Sequence, residues 1–360
     1  MYKKFFMGIA AMAALTLVSC SSDDLNSLSD NSSKNEAISF DGYLGRSAVA
    51  VNGSRGSVET IDQLKTDGFG VFGNYNSTGG QNFGSNLFNN VQVTYETSAW
   101  TYSPLRFWPT QGHIDFLAYA PYDSKYNDKV SKDNQKLDFT VNSTIKDQID
   151  LLYAKAVGQT KQTISSPENK NKVKFQFNHA LSKLGYQVKL SGDYSSNATF
   201  KLTKITLAGS PDGATEAFYT SGKIDLSKTN TASDLWSDYA TDRQNFDWFS
   251  GSSTVTGTAL KHPDENREKE KDYLFVIPQN FSDANVNGDK LYVIVEYTIT
   301  YTNDETHPIT NKVYKQIKQD FKPGKAYMIN LTLGLPIEFD ADVTTWGDDN
   351  SIDCTEPWDK

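Results

Sequence analysis

Cysteine is almost absent. The 360 residues hold two, Cys20 and Cys354. Two thiols cannot make a thiolate metal site, and if Cys20 is taken by lipid, as argued below, Cys354 has no partner and no disulfide framework forms. Cys354 then sits free in a polar C-terminal tail. Histidine is scarce too: His113, His179, His262 and His307 are scattered, and none shows a metal-ligand spacing. His179 follows an apolar strand and reads as satisfying a local hydrogen bond rather than as a ligand. Positive charge is in deficit, with 35 basic against 44 acidic residues and a formal charge of −9. Removing residues 1–20 takes away Lys3 and Lys4 and leaves −11, so no counterion-release argument supports nucleic-acid binding. Beyond the first twenty residues no apolar run approaches membrane-spanning length. Catalytic motifs are missing as well. Gly68-Phe69-Gly70 lacks the third glycine, the following helix and the lysine of a phosphate-binding loop, and reads as a turn or close-packing device. There is no Gly-x-Ser-x-Gly elbow. Carboxylates are too plentiful for counting to exclude a glycosidase pair, but none stands isolated in an aromatic, apolar setting. No cofactor and no enzyme activity are expected.

What the chain does have is a targeting segment. Lys3 and Lys4 precede an apolar run, residues 5–17, that is too short and wrongly flanked to span a membrane. It ends in Leu17-Val18-Ser19-Cys20, which resembles a bacterial lipobox; the alternative is a plain secretory signal with an incidental cysteine. Lipidation of Cys20 would anchor the export intermediate. Ser21-Ser22-Asp23-Asp24 follows, similar to the surface-export signal of some Gram-negative lipoproteins. Residues 21–36, rich in Ser, Asn and Asp, read as a flexible tether.

The rest reads as all-β. Aromatics make up 12% of the chain, and 24 glycines accompany many Asn, Ser and Thr. The length suits two domains or one large one. Short strands with turn signals between them are expected at 68–75, 91–95, 100–102, 113–119, 137–141 and 150–154. Helical turns are expected at 58–64 and 178–184. Residues 159–172, polar and aperiodic, read as a hinge between domains. Further strands follow at 173–177, 186–190, 200–207, 273–278, 291–301, 313–317 and 326–333, with a polar stretch at 227–271. In 291–301 the odd positions are Leu, Val, Val, Tyr, Ile and Tyr, one packed face against one wetter face. Pro323-Gly324 marks a turn. Helix is scarce, which argues against a parallel βαβ architecture. Trp100, Trp108, Trp236 and Trp248 could stack on sugars, but read more simply as packing residues.

The two ends of the folded region share a pattern. Residues 337–343 read Ile337-Glu338-Phe339-Asp340-Ala341-Asp342-Val343, with apolar and acidic residues in strict alternation. Residues 38–44 read Ile38-Ser39-Phe40-Asp41-Gly42-Tyr43-Leu44. One groove could accept either segment in the same register, so that one strand replaces the other, as in a donor-strand polymer. The plainer reading is two ordinary edge strands, since alternation is common in β-proteins. Between them residues 45–57 form a small-residue loop holding Arg46 and Arg55, the kind of exposed segment that proteases cut.

With these residues in hand, the chain resembles the fimbrillin family, the major and accessory subunits of type V pili of Gram-negative anaerobes. The resemblance covers roughly residues 37–346. It rests on Ile38-Ser39-Phe40 before an arginine loop, Gly68-Phe69-Gly70-Val71-Phe72 and Phe107-Trp108-Pro109. It continues through Phe116-Leu117-Ala118-Tyr119-Ala120-Pro121-Tyr122, Phe177-Asn178-His179-Ala180-Leu181-Ser182-Lys183-Leu184, Gly324-Lys325-Ala326-Tyr327 and Val343-Thr344-Thr345-Trp346. The resemblance implies an exported lipoprotein, anchored to the outer membrane through Cys20 until an arginine-specific protease removes its leader and first strand. It implies two transthyretin-like β-sandwich domains in tandem. The expected division is a signal peptide at 1–20, a tether at 21–36, a propeptide strand and cleavage loop at 37–55, an N-terminal domain at 56–170, a C-terminal domain at 171–334 and a donor-strand segment with tail at 335–360. Cleavage is expected after Arg55, with Arg46 as second choice. Ile38, Phe40 and Leu44 would fill a groove later filled by Ile337, Phe339, Ala341 and Val343 of a neighbouring subunit. Expected partners are other pilin subunits, the protease and a host or bacterial surface receptor, with no nucleic acid. The rival expectation is a lipoprotein that stays anchored and binds glycans; a surface hydrolase is a weaker third.

Overall fold

The computed structural model describes residues 37–44, 60–263, 273–335 and 340–345. The first half comprises β1 (Phe40–Leu44), α1 (Ile61–Asp67), β2 (Phe69–Asn76), β3 (Phe88–Glu96), β4 (Ala99–Thr101), β5 (His113–Ala120), β6 (Lys136–Thr140), β7 (Leu152–Gln159), α2 (Lys161–Ile164) and β8 (Val173–His179). The second comprises β9 (Ser182–Leu190), β10 (Ala198–Ala208), β11 (Phe218–Tyr219), β12 (Ser221–Asp225), β13 (Trp236–Ser237), β14 (Arg243–Gln244), β15 (Phe246–Val255) and β16 (Leu274–Val276). It continues with β17 (Tyr292–Tyr301), β18 (Asp304–Gln316), β19 (Ala326–Leu333) and β20 (Asp340–Thr345). The protein is all-β, as its alternating apolar residues and scarcity of helical periodicity require.

A seven-stranded sheet in the order β1-β8-β7-β5-β2-β3-β4 organises the first half. Its two ends meet, because Ala37, just before β1, bridges antiparallel to Phe107, just after β4. One face encloses a core of its own, including Ile38, Phe40, Phe69, Val71, Phe88, Phe116, Phe175 and Phe177. α1 caps this core. The Thr60 side chain accepts from the Gln63 N–H at 3.2 Å, and Leu64 is the one buried residue of the helix. The helix ends at Gly68, where φ is +68° and a Cβ would lie 2.5 Å from the Val93 carbonyl oxygen. Conformation and space both demand glycine there.

The other face of this sheet carries Phe72, Leu117, Tyr119 and Tyr153 into a larger core that continues through the second half. There the antiparallel sheet β15-β10-β17-β18 faces the sheet β16-β9-β19-β20. Phe200, Leu202, Val293, Val295 and Tyr297 of the first and Tyr186, Val188, Ile329, Leu331 and Leu333 of the second share one apolar interior, the construction of a β-sandwich. The Tyr297 hydroxyl donates to the Gly334 carbonyl at 2.9 Å.

The halves are joined more closely than the expected hinge implies. β6 pairs antiparallel with β12, so a strand of each half contributes to one sheet. Residues 159–172 do not separate domains. They carry α2, whose Thr160 forms a capping box with Thr163, and connect β7 to β8 within one sheet. The chain leaves the first sheet at Ala180 and Leu181, which follow β8. The helical turn expected at 178–184 is instead the end of one strand and the start of another, because Leu152 and Tyr153 pair with His179 and Asn178.

Candidate assembly groove

The segment 37–44, which ends in β1, lies in a slot and is held on two sides. On one side it pairs parallel with β8, Phe40 opposite Val173, Gly42 opposite Phe175 and Leu44 opposite Phe177. The Val173 N–H donates to the Ser39 carbonyl at 2.8 Å. On the other side the Ile38 N–H donates to the Arg106 carbonyl at 2.8 Å, and the Tyr102 hydroxyl donates to the Ile38 carbonyl at 2.8 Å. Burial pushes the Tyr102 pKa up, against smaller lowering effects of Arg106, so this hydroxyl stays a donor.

The floor of the slot is aromatic. Phe40 is 1% exposed and is ringed by Phe88, Tyr102, Phe116 and Phe175 at centroid distances of 5.3–5.5 Å. Such ring pairs contribute about 0.5–1.5 kcal/mol each beyond the area they bury. Ile38 is 1% exposed, and Leu44 packs partly buried against the same core. The intervening Ser39 and Asp41 are half-buried and Tyr43 is exposed, which is the alternation read from the sequence. Tyr102 and the 102–107 backbone were not legible as a wall. They act through one hydroxyl and main-chain groups, and the short strand expected at 100–102 does not foretell that role.

The second of the matched segments is seated elsewhere in the same chain. β20 pairs antiparallel with β19 at the edge of its sheet, Ala341 opposite Leu331 and Val343 opposite Ile329, and these two side chains are 3% and 5% exposed. The structure thus gathers Ile38, Phe40 and Leu44 in the slot and holds Ala341 and Val343 in the sandwich of the second half. Ile337 and Phe339 lie outside the described residues, as do Cys20, Arg46, Arg55, Trp346 and Cys354.

Several described side chains with catalytic or ligand-binding potential make contacts within the fold. His179 Nδ1 lies 2.8 Å from Asp150 Oδ2, both nearly buried. Asp115, 1% exposed, accepts from Asn76 Nδ2 at 2.9 Å and from the N–H groups of Asn82 and Gly158 at 2.7 Å each, with His113 Nε2 at 3.4 Å. It ties the Asn-rich 77–87 loop to β7. His307 is exposed beside Asp304, and His262 packs against Tyr186. Trp100, Trp108, Trp236 and Trp248 are all buried and present no face for a sugar. Among the described residues no group of His, Cys, Asp and Glu could hold a metal ion, and no helix is long and apolar enough to cross a membrane.

The geometry is that of an all-β chain whose first described strand is set into an aromatic slot. The fimbrillin-like family model matches residues 58–346, and the chain belongs to that family, one of fimbrial subunits rather than enzymes. Among proteins it is similar to is the fimbrium subunit Fim1C of Phocaeicola vulgatus, 27% identical, with 96% of this chain and 97% of that protein covered. Among solved structures, a fimbrial protein from Bacteroides vulgatus superposes with a TM-score of 0.63 at 22% identity, covering 86% of this chain and 99% of that one. That likeness is one of fold.

Proposed function

We propose that the protein is a structural subunit of an adhesive cell-surface fimbria that polymerises by strand exchange. In this reading it is exported as a lipoprotein on Cys20 and held at the outer membrane. An arginine-specific protease then cuts after Arg55, with Arg46 as the alternative, and frees β1 to leave its slot. The Ile337-to-Val343 strand of a neighbouring subunit takes its place. The two halves serve as transthyretin-like modules, and the finished polymer presents a receptor-binding surface.

One observation carries this reading. β1 is a short parallel strand that fills an aromatic slot, and its apolar spacing is repeated at 337–343 of the same chain. Removing residues 37–44 would uncover backbone groups on both sides and the pocket that Phe40 fills, a template for another strand. A replacement burying side chains worth roughly 1.5–3 kcal/mol each, with ladder hydrogen bonds of about 1 kcal/mol net, would leave slowly.

The test is electron microscopy of protease-treated protein. The parent chain is expected to form filaments. Phe339→Asp, which puts a charge where the pocket is apolar, is expected to give folded monomers by circular dichroism and no filaments. Filaments of ordinary length from Phe339→Asp would overturn the donor assignment.

A further inference from the structure

Gly42 sits at the middle of β1 between two large apolar residues, Phe40 and Leu44. Its φ is not in the left-handed region, so backbone conformation does not call for glycine. Space does. A Cβ at this position would lie 3.2 Å from Phe69 Cε1, 3.3 Å from Phe177 Cε2 and 3.7 Å from Leu64 Cδ2. These three side chains are themselves buried, at 0%, 1% and 0% exposure. The Phe69 and Phe177 rings pack edge to face at 5.3 Å, and Phe69 is braced by Trp100 at 4.8 Å and Phe175 at 5.8 Å. Neither ring can swing aside without opening the core, and packed interiors yield only by tenths of an ångström. A methyl group fits if the rings give that much; a longer or branched side chain does not.

The slot therefore reads large, small, large along an occupying strand. In the C-terminal segment the position aligned with Gly42 is Ala341, flanked by Phe339 and Val343. A slip of one residue would turn the apolar set outward. A slip of two would bring Phe339 or Val343 onto the constriction.

We propose that the constriction formed by Leu64, Phe69 and Phe177 is a size filter that fixes the register of whichever strand occupies the slot, admitting glycine or alanine and rejecting anything larger. For β1 this stands alone; for Ala341 it rests on the strand-exchange reading above. It makes residue 341 a specificity determinant for which subunits can follow one another.

The experiment uses a labelled peptide of residues 337–345 and protease-treated protein, with binding read by fluorescence anisotropy. The parent peptide and Ala341→Gly are expected to bind. Ala341→Leu is expected to bind at least tenfold more weakly, and binding within twofold of the parent would overturn the filter. The protein is unaltered in this comparison, so misfolding cannot imitate the result. If no peptide binds, the strand-exchange reading fails separately, and the filter is then decided on the uncleaved chain by hydrogen exchange across residues 38–44. Gly42→Leu is expected to raise exchange there at least tenfold above Gly42→Ala, and equal rates would overturn it.

Discussion

Phe40 and Phe175 lie on adjacent parallel strands with ring centroids 5.5 Å apart and planes 26° from parallel, one diagonal step out of register, since Gly42 and not Phe40 pairs with Phe175. The small residue opposite Phe175 leaves its ring free to stack forward onto Phe40. The core of the first half is thus completed by a side chain from the first strand among the described residues.

Phe40→Ala should be costly. Truncating a fully buried phenylalanine typically loses about 3–5 kcal/mol, and Phe40 is 1% exposed in a ring of aromatics. Denaturant unfolding of the uncleaved chain should show the loss in the midpoint. A loss below about 1 kcal/mol, the scale of an average substitution, would mean that β1 is not a working part of that core.

Gly68→Ala should also destabilise, for a different reason. The residue combines φ of +68° and ψ of −174° with a carbonyl oxygen 2.5 Å from any Cβ. That backbone region alone costs a side-chain-bearing residue on the order of 1–3 kcal/mol, and the clash adds to it. Thermal unfolding is the measurement, and Thr60→Ala, which removes only a helix cap worth about 1 kcal/mol, is the milder comparison.

The His179–Asp150 pair predicts a pH dependence. Burial disfavours the imidazolium, and Lys183 opposes it weakly, but the Asp150 charge and hydrogen bond outweigh them and hold the His179 pKa above its ordinary value. A folded-state pKa raised above the unfolded value stabilises fully below the unfolded pKa of about 6.5, and that contribution is lost as pH rises through the raised value. Stability should therefore fall on going from pH 6 to pH 8.5, and Asp150→Asn should flatten that slope. An unchanged slope in Asp150→Asn would assign the dependence to other groups.

Trypsin applied to the native protein should cut first in the 45–57 loop, releasing a fragment that begins at Gly56, or at Ser47 if Arg46 is preferred. N-terminal sequencing decides between them, and first cuts elsewhere with the loop intact would count against the processing step.

Cys20→Ala should abolish lipid labelling in the producing cell and block surface delivery. Surface delivery and assembly of the substituted protein would contradict the lipobox reading.

How much of this could be read from the sequence depended on how each strand is buried. β17 was legible because Val293, Val295, Tyr297 and Ile299, and Leu291 just before it, are all buried in the core. β15 was not, since Ser250, Gly251, Ser252 and Ser253 interrupt its apolar rhythm, while its pairing with β10 is made by the backbone. Only the end of β18 was anticipated. Its first seven residues are exposed and carry no packed face, and they are strand because β17 offers a partner. The turn expected around His179 failed because Ala180, Leu181 and Leu184 have helix-like spacing, and tertiary pairing overrode it. The slot itself was half legible. Its occupant announced itself by alternation at Ile38, Phe40 and Leu44, whereas the wall built from Tyr102 and Arg106 offers only main-chain groups and one hydroxyl.

The parallel pairing of β1 with β8 gives the slot a direction. β1 runs with its amino end toward Arg106 and its carboxyl end toward Phe177, and a strand that repeats its parallel hydrogen bonds to β8 has that same polarity. Where the strand of one unit fills the slot of the next, donor and slot are unlike surfaces. Units joined head to tail in this way leave an empty slot at one end and an unused strand at the other, so such an assembly would have unlike ends and would lengthen with a fixed sense.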